Sequence, residues 1–270
     1  METCYDEVPY HLSEMAHRYG PEIHILGHPV LLSLLARACT PAVEPPEFTR
    51  LIRSLYRDLA LEVANAEFPA IRRNLPTRMR KMHREGVYSG RIIHPETRVV
   101  CVDIARAGMV PSQACFETFC EFLSSRHVRQ DHMFANRRTD RKGKVVATDL
   151  SGSKVGGRIE GSILVIPDPM GATGGSLSRV LDHYAALHIG RPLKVIALHL
   201  IVTPEYLARV RRDHPGLVVY AVRLDRGLSS KAILKTVPGT HWKEERGLND
   251  VQYIVPGGGG FGELLSNAER

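Results

Sequence analysis

The clearest chemistry in the chain lies in Asp168-Pro169-Met170-Gly171-Ala172-Thr173-Gly174-Gly175-Ser176. An apolar run, residues 162–166, precedes this stretch and a helical pattern, residues 177–187, follows it. A strand that stops at an acid, turns through glycines and hydroxyls and opens a helix offers an anion two things. These are free backbone N–H groups and the positive end of the helix dipole. Thr173 and Ser176 add hydroxyls, and Asp168 is an acceptor-only group at the entrance. A second candidate is Arg106, set in Ala105-Arg106-Ala107-Gly108. Its small neighbours let an anion approach the backbone, and a guanidinium grips two oxygens at once. The glycine loop is neither the nucleotide-binding G-x-x-x-x-G-K-[ST] nor a strand-borne G-x-G-x-x-G.

The elements that must position these groups follow from pattern. Residues 98–104 read as a buried strand and 111–123 as a helix with proline in its first turn. Residues 126–161 are long, polar and basic, as expected of a flexible arm or β-hairpin. After the loop come a strand at 194–202, a helix at 206–213 capped by Thr203, and a strand at 217–222. Strand, helix, strand, helix, strand predicts an α/β fold with a mostly parallel sheet. Ligands of such sheets bind beyond the carboxyl ends of the strands, so Arg106 and residues 168–176 are expected to face one crevice. A phosphate, a diol and a pyrophosphate in one molecule fit these groups, which describes phosphoribosyl pyrophosphate (PRPP).

The 270 residues suffice for one sizeable core, and 43% hydrophobic with 24% charged residues is an ordinary globular balance. Five cysteines without C-x-x-C spacing argue for reduced thiols and a cytoplasmic protein. No apolar stretch reaches the length of a membrane span, and the first 20 residues are too acidic for a signal peptide. The net charge of +7 suits nucleic acid or a small polyphosphate equally. Residues 71–84 carry six basic side chains and are the best candidate for a nucleic-acid or partner surface; an exposed solubilising segment is the favoured reading. The stripe Phe48, Leu51, Ile52, Leu55, Leu59, Val63 predicts an amphipathic helix. His24 and His28 read as turn histidines rather than metal ligands.

With those residues in view, the chain resembles the uracil phosphoribosyltransferases over roughly residues 24–265. Asp168-Pro169-Met170-x-Ala172-Thr173-Gly174-Gly175-Ser176 is similar to that family's PRPP motif, down to the Asp-Pro pair. Residues 104–109 resemble its pyrophosphate loop. Pro204-Glu205 and Leu248-Asn249-x-x-x-Tyr253-Ile254-Val255-Pro256-Gly257 resemble its base-binding end. The resemblance implies a type I phosphoribosyltransferase fold with a central mostly parallel sheet flanked by helices, a flexible arm and a C-terminal base-binding hood. It implies one domain: an N-terminal helical segment (1–90), a core (98–225), an insertion (226–247) and the hood (248–265). It also implies Mg²⁺ bound through PRPP with no direct protein ligand, a nucleobase acceptor giving UMP if uracil, a role in pyrimidine salvage, and a homodimer or larger homo-oligomer. By resemblance Arg106 meets the pyrophosphate and Asp168 the ribose hydroxyls, making these two the catalytic candidates. Ala172, Thr173, Gly174, Gly175 and Ser176 hold the 5-phosphate, Pro169, Met170 and Gly171 also belong to the PRPP site, and Arg137, with Arg138 competing, is the arm's arginine. Tyr253, Ile254, Gly259, Gly260 and Phe261 face the base.

Three departures from the family pattern stand out. Gly171 replaces a bulky residue, which is expected to loosen the loop. In Gly257-Gly258-Gly259-Gly260-Phe261-Gly262-Glu263-Leu264 the family's first aspartate is Gly260 and its arginine is Leu264. The insertion at 226–247 adjoins the expected base site. Two functions of different classes follow: a phosphoribosyltransferase for uracil or another base, and a non-catalytic sensor of PRPP or a nucleotide, with nucleic acid as a further ligand.

Overall fold

The computed structural model describes residues 4–139 and 145–268, with side chains at 136–148 left aside. In chain order the elements are β1 (Ile23–Ile25), α1 (Pro29–Ala38), α2 (Glu47–Glu67), β2 (Ala70–Pro76), β3 (Val87–Ile93), β4 (Val99–Ala105) and α3 (Met109–Cys120). There follow β5 (Val128–Thr139), β6 (Val145–Lys154), β7 (Ile163–Pro167), β8 (Met170–Gly171), α4 (Gly175–Ala186), β9 (Lys194–Val202) and α5 (Pro204–Asp213). The chain ends through β10 (Val218–Leu224), α6 (Lys231–Leu234) and α7 (Phe261–Ser266).

The main sheet runs β1-β10-β9-β7-β4-β5-β6, with β8 pairing onto β9. Every pairing in it is parallel except β5 with β6. Its central strands are buried on both faces, because helices cover both. Val99, Cys101, Val165 and Leu198 point into one core with α1, α2 and α3. Val100, Val102, Ile166 and Ala197 point into another with α4 and α5. The stripe expected of α2 is buried throughout, from Phe48 to Val63.

The connections set the site. From β4 the chain crosses through α3 to β5 on one side, and from β7 it crosses through α4 to β9 on the other. Neighbouring strands β4 and β7 therefore send their following loops in opposite directions. The gap left between those loops is the switch-point crevice of an open α/β sheet.

Two expectations are corrected. Residues 70–93 do not continue the N-terminal helical segment; they form an antiparallel hairpin, Ala70 opposite Ile93 through Pro76 opposite Val87. Pro76 forbids a continuous helix, and Val87-Tyr88 and Ile92-Ile93 are strand formers. The basic side chains of 71–84 lie on this hairpin, Arg72 paired with Asp6 at 2.9 Å. The segment 23–25, which has no period of its own, is an edge strand beside β10, with His24 stacked on Tyr220 at 4.5 Å.

The insertion is a folded pad. Glu245, 1% exposed, accepts from Arg226 at 3.0 Å, from the Gly239 N–H at 2.8 Å and from the Tyr19 hydroxyl. Arg226 also donates to the carbonyls of Ile233, Leu234 and Thr236. Trp242 donates to the Pro204 carbonyl at 2.9 Å and meets the Tyr19 ring edge-on. Replacing Glu245 with leucine leaves the Arg226 guanidinium buried without a counter-charge. We expect a loss of about 3 kcal/mol or more in urea unfolding; a loss within about 0.5 kcal/mol would mean that the pair does not hold the pad.

Candidate functional site

At the carboxyl end of β7 the chain makes an Asx-type turn, with the Met170 N–H 3.3 Å from Asp168 Oδ1. Beyond it the loop's carbonyls turn into the protein. Asp168 O faces His199 Nδ1 at 2.5 Å, and Pro169 O accepts from Leu200 and Ile201. Gly171 O accepts from the Thr203 N–H, Ala172 O from the Thr203 hydroxyl at 2.7 Å, and Thr173 O from Arg209 at 3.4 Å. In a trans peptide the next residue's N–H points opposite to the carbonyl. Burying the carbonyls of Ala172 and Thr173 therefore turns the N–H groups of Thr173 and Gly174 outward. Gly174 caps α4 at φ +75°, a conformation that costs glycine little. The first N–H groups of α4 complete an anion cradle.

Across the crevice Arg106 stands just past β4, its side chain half exposed, with Nη2 3.3 Å from Glu263 Oε1. A cavity of about 570 Å³ opens between the two loops. Arg106, Asp168, Met170, Ala172 and Ser176 line its donor side, and Tyr253, Ile254, Gly259, Gly260, Phe261 and Glu263 the opposite side. A recess of about 20 Å³ within the loop is lined by Thr173, Gly174 and Gly175 and reaches His199 and Tyr206. Pro169 and Gly171 line neither. Arg137 lies on β5, and its side chain, like that of Arg138, falls outside the described residues.

The loop is not loosened at Gly171. A Cβ there would come within 2.9 Å of Val202, 3.2 Å of Tyr206 and 3.3 Å of His199, so neighbours fill the space a larger residue would take. Phe261 serves chiefly as an anchor: its ring is buried against Phe48 at 4.8 Å, seating α7 on α2. The hood is held from below by Asp225, which accepts from the Gly257 N–H at 2.8 Å and pairs bidentately with Arg223. Glu205 accepts from the N–H groups of Gly247 and Leu248, fixing the start of the hood. A Cβ at 260 would lie 2.4 Å from Glu263 Oε2, the movable end of that side chain, so a larger residue there would need only Glu263 to swing aside.

Several lining residues carried no signal in the sequence. Phe134, half exposed, and Ser151 and Gly152 reach the cavity from the β5–β6 arm. The arm's root is fixed by fully buried Asp131, which accepts from Arg129, Tyr184 and the Gly156 N–H. His199 and Tyr206 also went unnoticed, since each sits in an apolar core pattern. The described residues contain no cluster of three or more His, Cys, Asp or Glu able to hold a metal ion alone. Among them no helix is long and apolar enough to cross a membrane.

His199 supplies a pH dependence. Burial lowers its imidazole from the ordinary 6.5 to about 4. Between those values the unfolded chain takes up a proton that the folded chain refuses. Stability is therefore intact above about pH 6.5 and falls as the pH drops towards about 4, by at most about 3 kcal/mol. We expect wild type to lose more stability than His199→Asn between about pH 7 and about pH 4.5. Equal losses in urea titrations would contradict a buried neutral His199.

A sequence model described as uracil phosphoribosyltransferase matches residues 25–241. The uracil phosphoribosyltransferase of Dictyoglomus turgidum is 24% identical over 242 residues, covering 89% of this chain and 97% of that one. That of Pyrobaculum islandicum is 28% identical over 142 residues, 53% of this chain and 62% of its own. Among solved structures, the AQ2163 protein of Aquifex aeolicus shares the fold at a TM-score of 0.68 and 23% identity, covering 90% of this chain and 97% of that one. With a family match across most of its length and a switch-point crevice beside its glycine loop, the chain belongs to the uracil phosphoribosyltransferase family and has the type I phosphoribosyltransferase fold.

Proposed function

We propose that the protein transfers ribose 5-phosphate from PRPP to uracil, giving UMP and pyrophosphate. The observation that carries this reading is the cavity shared by Arg106, Asp168, Ala172, Ser176 and the hood, with the recess of Thr173, Gly174 and Gly175 adjoining it through Asp168, Ala172 and Ser176. Family membership supports PRPP and a nucleobase as substrates. Uracil is the finer assignment, supported by the family's name and by the backbone character of the hood's cavity wall at Gly259 and Gly260.

In this reading the N–H groups of Thr173, Gly174 and Gly175 and the Ser176 hydroxyl hold the 5-phosphate. Asp168 accepts from the ribose hydroxyls. Arg106 exchanges its contact with Glu263 for the pyrophosphate, a stronger partner because it carries more charge. The bond from the anomeric carbon to pyrophosphate breaks, the bond to the uracil ring nitrogen forms, and that nitrogen's proton is released. Positive charge builds on the ribose ring during the exchange, and Asp168 is the nearby carboxylate of fixed place. Mg²⁺, carried in by PRPP, would neutralise the leaving group. Asp168 and Glu263 are oxygen donors of the kind such an ion accepts. Holding donor and base in one cavity supplies the remainder as lost freedom already met on binding.

Pyrophosphate release on mixing protein, PRPP, Mg²⁺ and each nucleobase in turn tests the assignment. We expect release with uracil and little with purines. Tight PRPP binding with no release from any base would favour the sensor reading and overturn the enzyme. Asp168→Asn is expected to weaken PRPP binding by roughly tenfold or more, through loss of charge-assisted hydrogen bonds. An unchanged dissociation constant would remove Asp168 from the donor site.

A further inference from the structure

Beneath the PRPP loop lie two groups that the reaction itself does not use. His199 on β9 and Tyr206 on α5 are both buried, and their rings meet edge-on at 4.7 Å. His199 Nδ1 is 2.5 Å from the Asp168 carbonyl oxygen, and Nε2 is 2.6 Å from the Tyr206 hydroxyl. A carbonyl only accepts, so the imidazole proton sits on Nδ1. Nε2 is then the acceptor, and the phenol must donate to it. The chain of hydrogen bonds has one direction, from Tyr206 through His199 to Asp168.

Its terminus falls on a special peptide. The bond after Asp168 leads into Pro169, which has no N–H. The Asp168 carbonyl is therefore the one polar handle on that peptide, and His199 holds it. Together with Val202, Tyr206 and His199 also occupy the volume that a side chain at position 171 would need. The same pair thus fixes the loop at both sides of Met170, by a hydrogen bond at 168 and by packing at 171.

We propose that His199 and Tyr206 are positioning residues for the donor. They set the main chain at Asp168 so that its carboxylate and the N–H groups of Thr173 and Gly174 address one PRPP molecule together. The proposal rests on the reading of this loop as the PRPP site. It assigns this chain its own solution to a loop with no side chain at 171, in which the floor supplies the rigidity.

The test is steady-state kinetics with calorimetric PRPP binding on purified full-length variants. His199→Leu removes the donor to Asp168 and is expected to raise the KM and Kd for PRPP roughly tenfold, the effect of one lost buried hydrogen bond. The KM for the base should stay within about twofold. His199→Asn, whose side-chain amide can donate from about the place of Nδ1, is expected to recover most of the loss. Tyr206→Phe keeps the ring packing and removes only the hydroxyl, so it should fold and show a smaller rise, again confined to PRPP. A merely structural pair would instead lower thermal stability in all three variants and leave the KM for PRPP unmoved, which would overturn the proposal. Equal effects on PRPP and base, or no recovery by asparagine, would also overturn it. Wild type that fails to bind PRPP at all would overturn the donor reading and this proposal with it.

Discussion

A peptide group has two polar ends, and burying one commits the other. Between Asp168 and Thr173 the fold supplies an acceptor's partner for the carbonyls of Asp168, Pro169, Gly171, Ala172 and Thr173. All of these partners come from β9, the turn at Thr203 and α5. The amides of Met170 and Ala172 are bonded within the loop, and those of Thr173 and Gly174 are left to face the crevice, where an anion is their natural partner. The parallel β7–β9 pairing and the α5 N-terminus are thus preconditions for the cradle rather than background to it. A glycine-rich turn without that floor would be free to point either face outward.

The acceptor side is built on a different principle. Four glycines in a row carry no side chains to order them, so the order comes from what they touch. Arg223 and Asp225 hold Gly257 by both its N–H and its carbonyl. Phe261, pressed on Phe48, fixes the far end. The pad at 226–247 supports the segment leading in, through Glu205 and the buried Arg226–Glu245 pair. The position of the missing aspartate, Gly260, lies beside the movable end of Glu263, whose carboxylate lines the same cavity. A carboxylate facing this part of the cavity is retained, three residues further along.

Much of this was legible in the sequence because it depends on local patterns. The strand–loop–helix at 162–187 and the strand at 194–202 declare themselves by apolar runs and capping residues. The glycine loop at 168–176 declares itself by its order of residue types. What escaped depends on contacts distant in sequence. His199 and Tyr206 look like ordinary members of apolar patterns, and only the fold places one under Asp168 and the other under Gly171. The expectation of a loose loop at Gly171 failed for this reason, because the filling side chains of His199, Val202 and Tyr206 come from β9 and α5, beyond the whole of α4. Phe134 reaches the cavity only because β5 pairs with β4 in a register that sets it beside Ala105. The hairpin at 70–93 was obscured by its charge, which speaks of exposure and says nothing of backbone conformation.

The central claim is that the outward amides of residues 173 and 174, Asp168 and the glycine hood address one ribosyl nucleotide. A crystal structure of the protein with UMP measures this most directly. The account predicts the 5′-phosphate on the N–H groups of Thr173 and Gly174 at the start of α4, the ribose hydroxyls on Asp168, and the base against Ile254 and Gly259. A nucleotide bound with its phosphate away from α4, or with its base turned out of the hood, would contradict it.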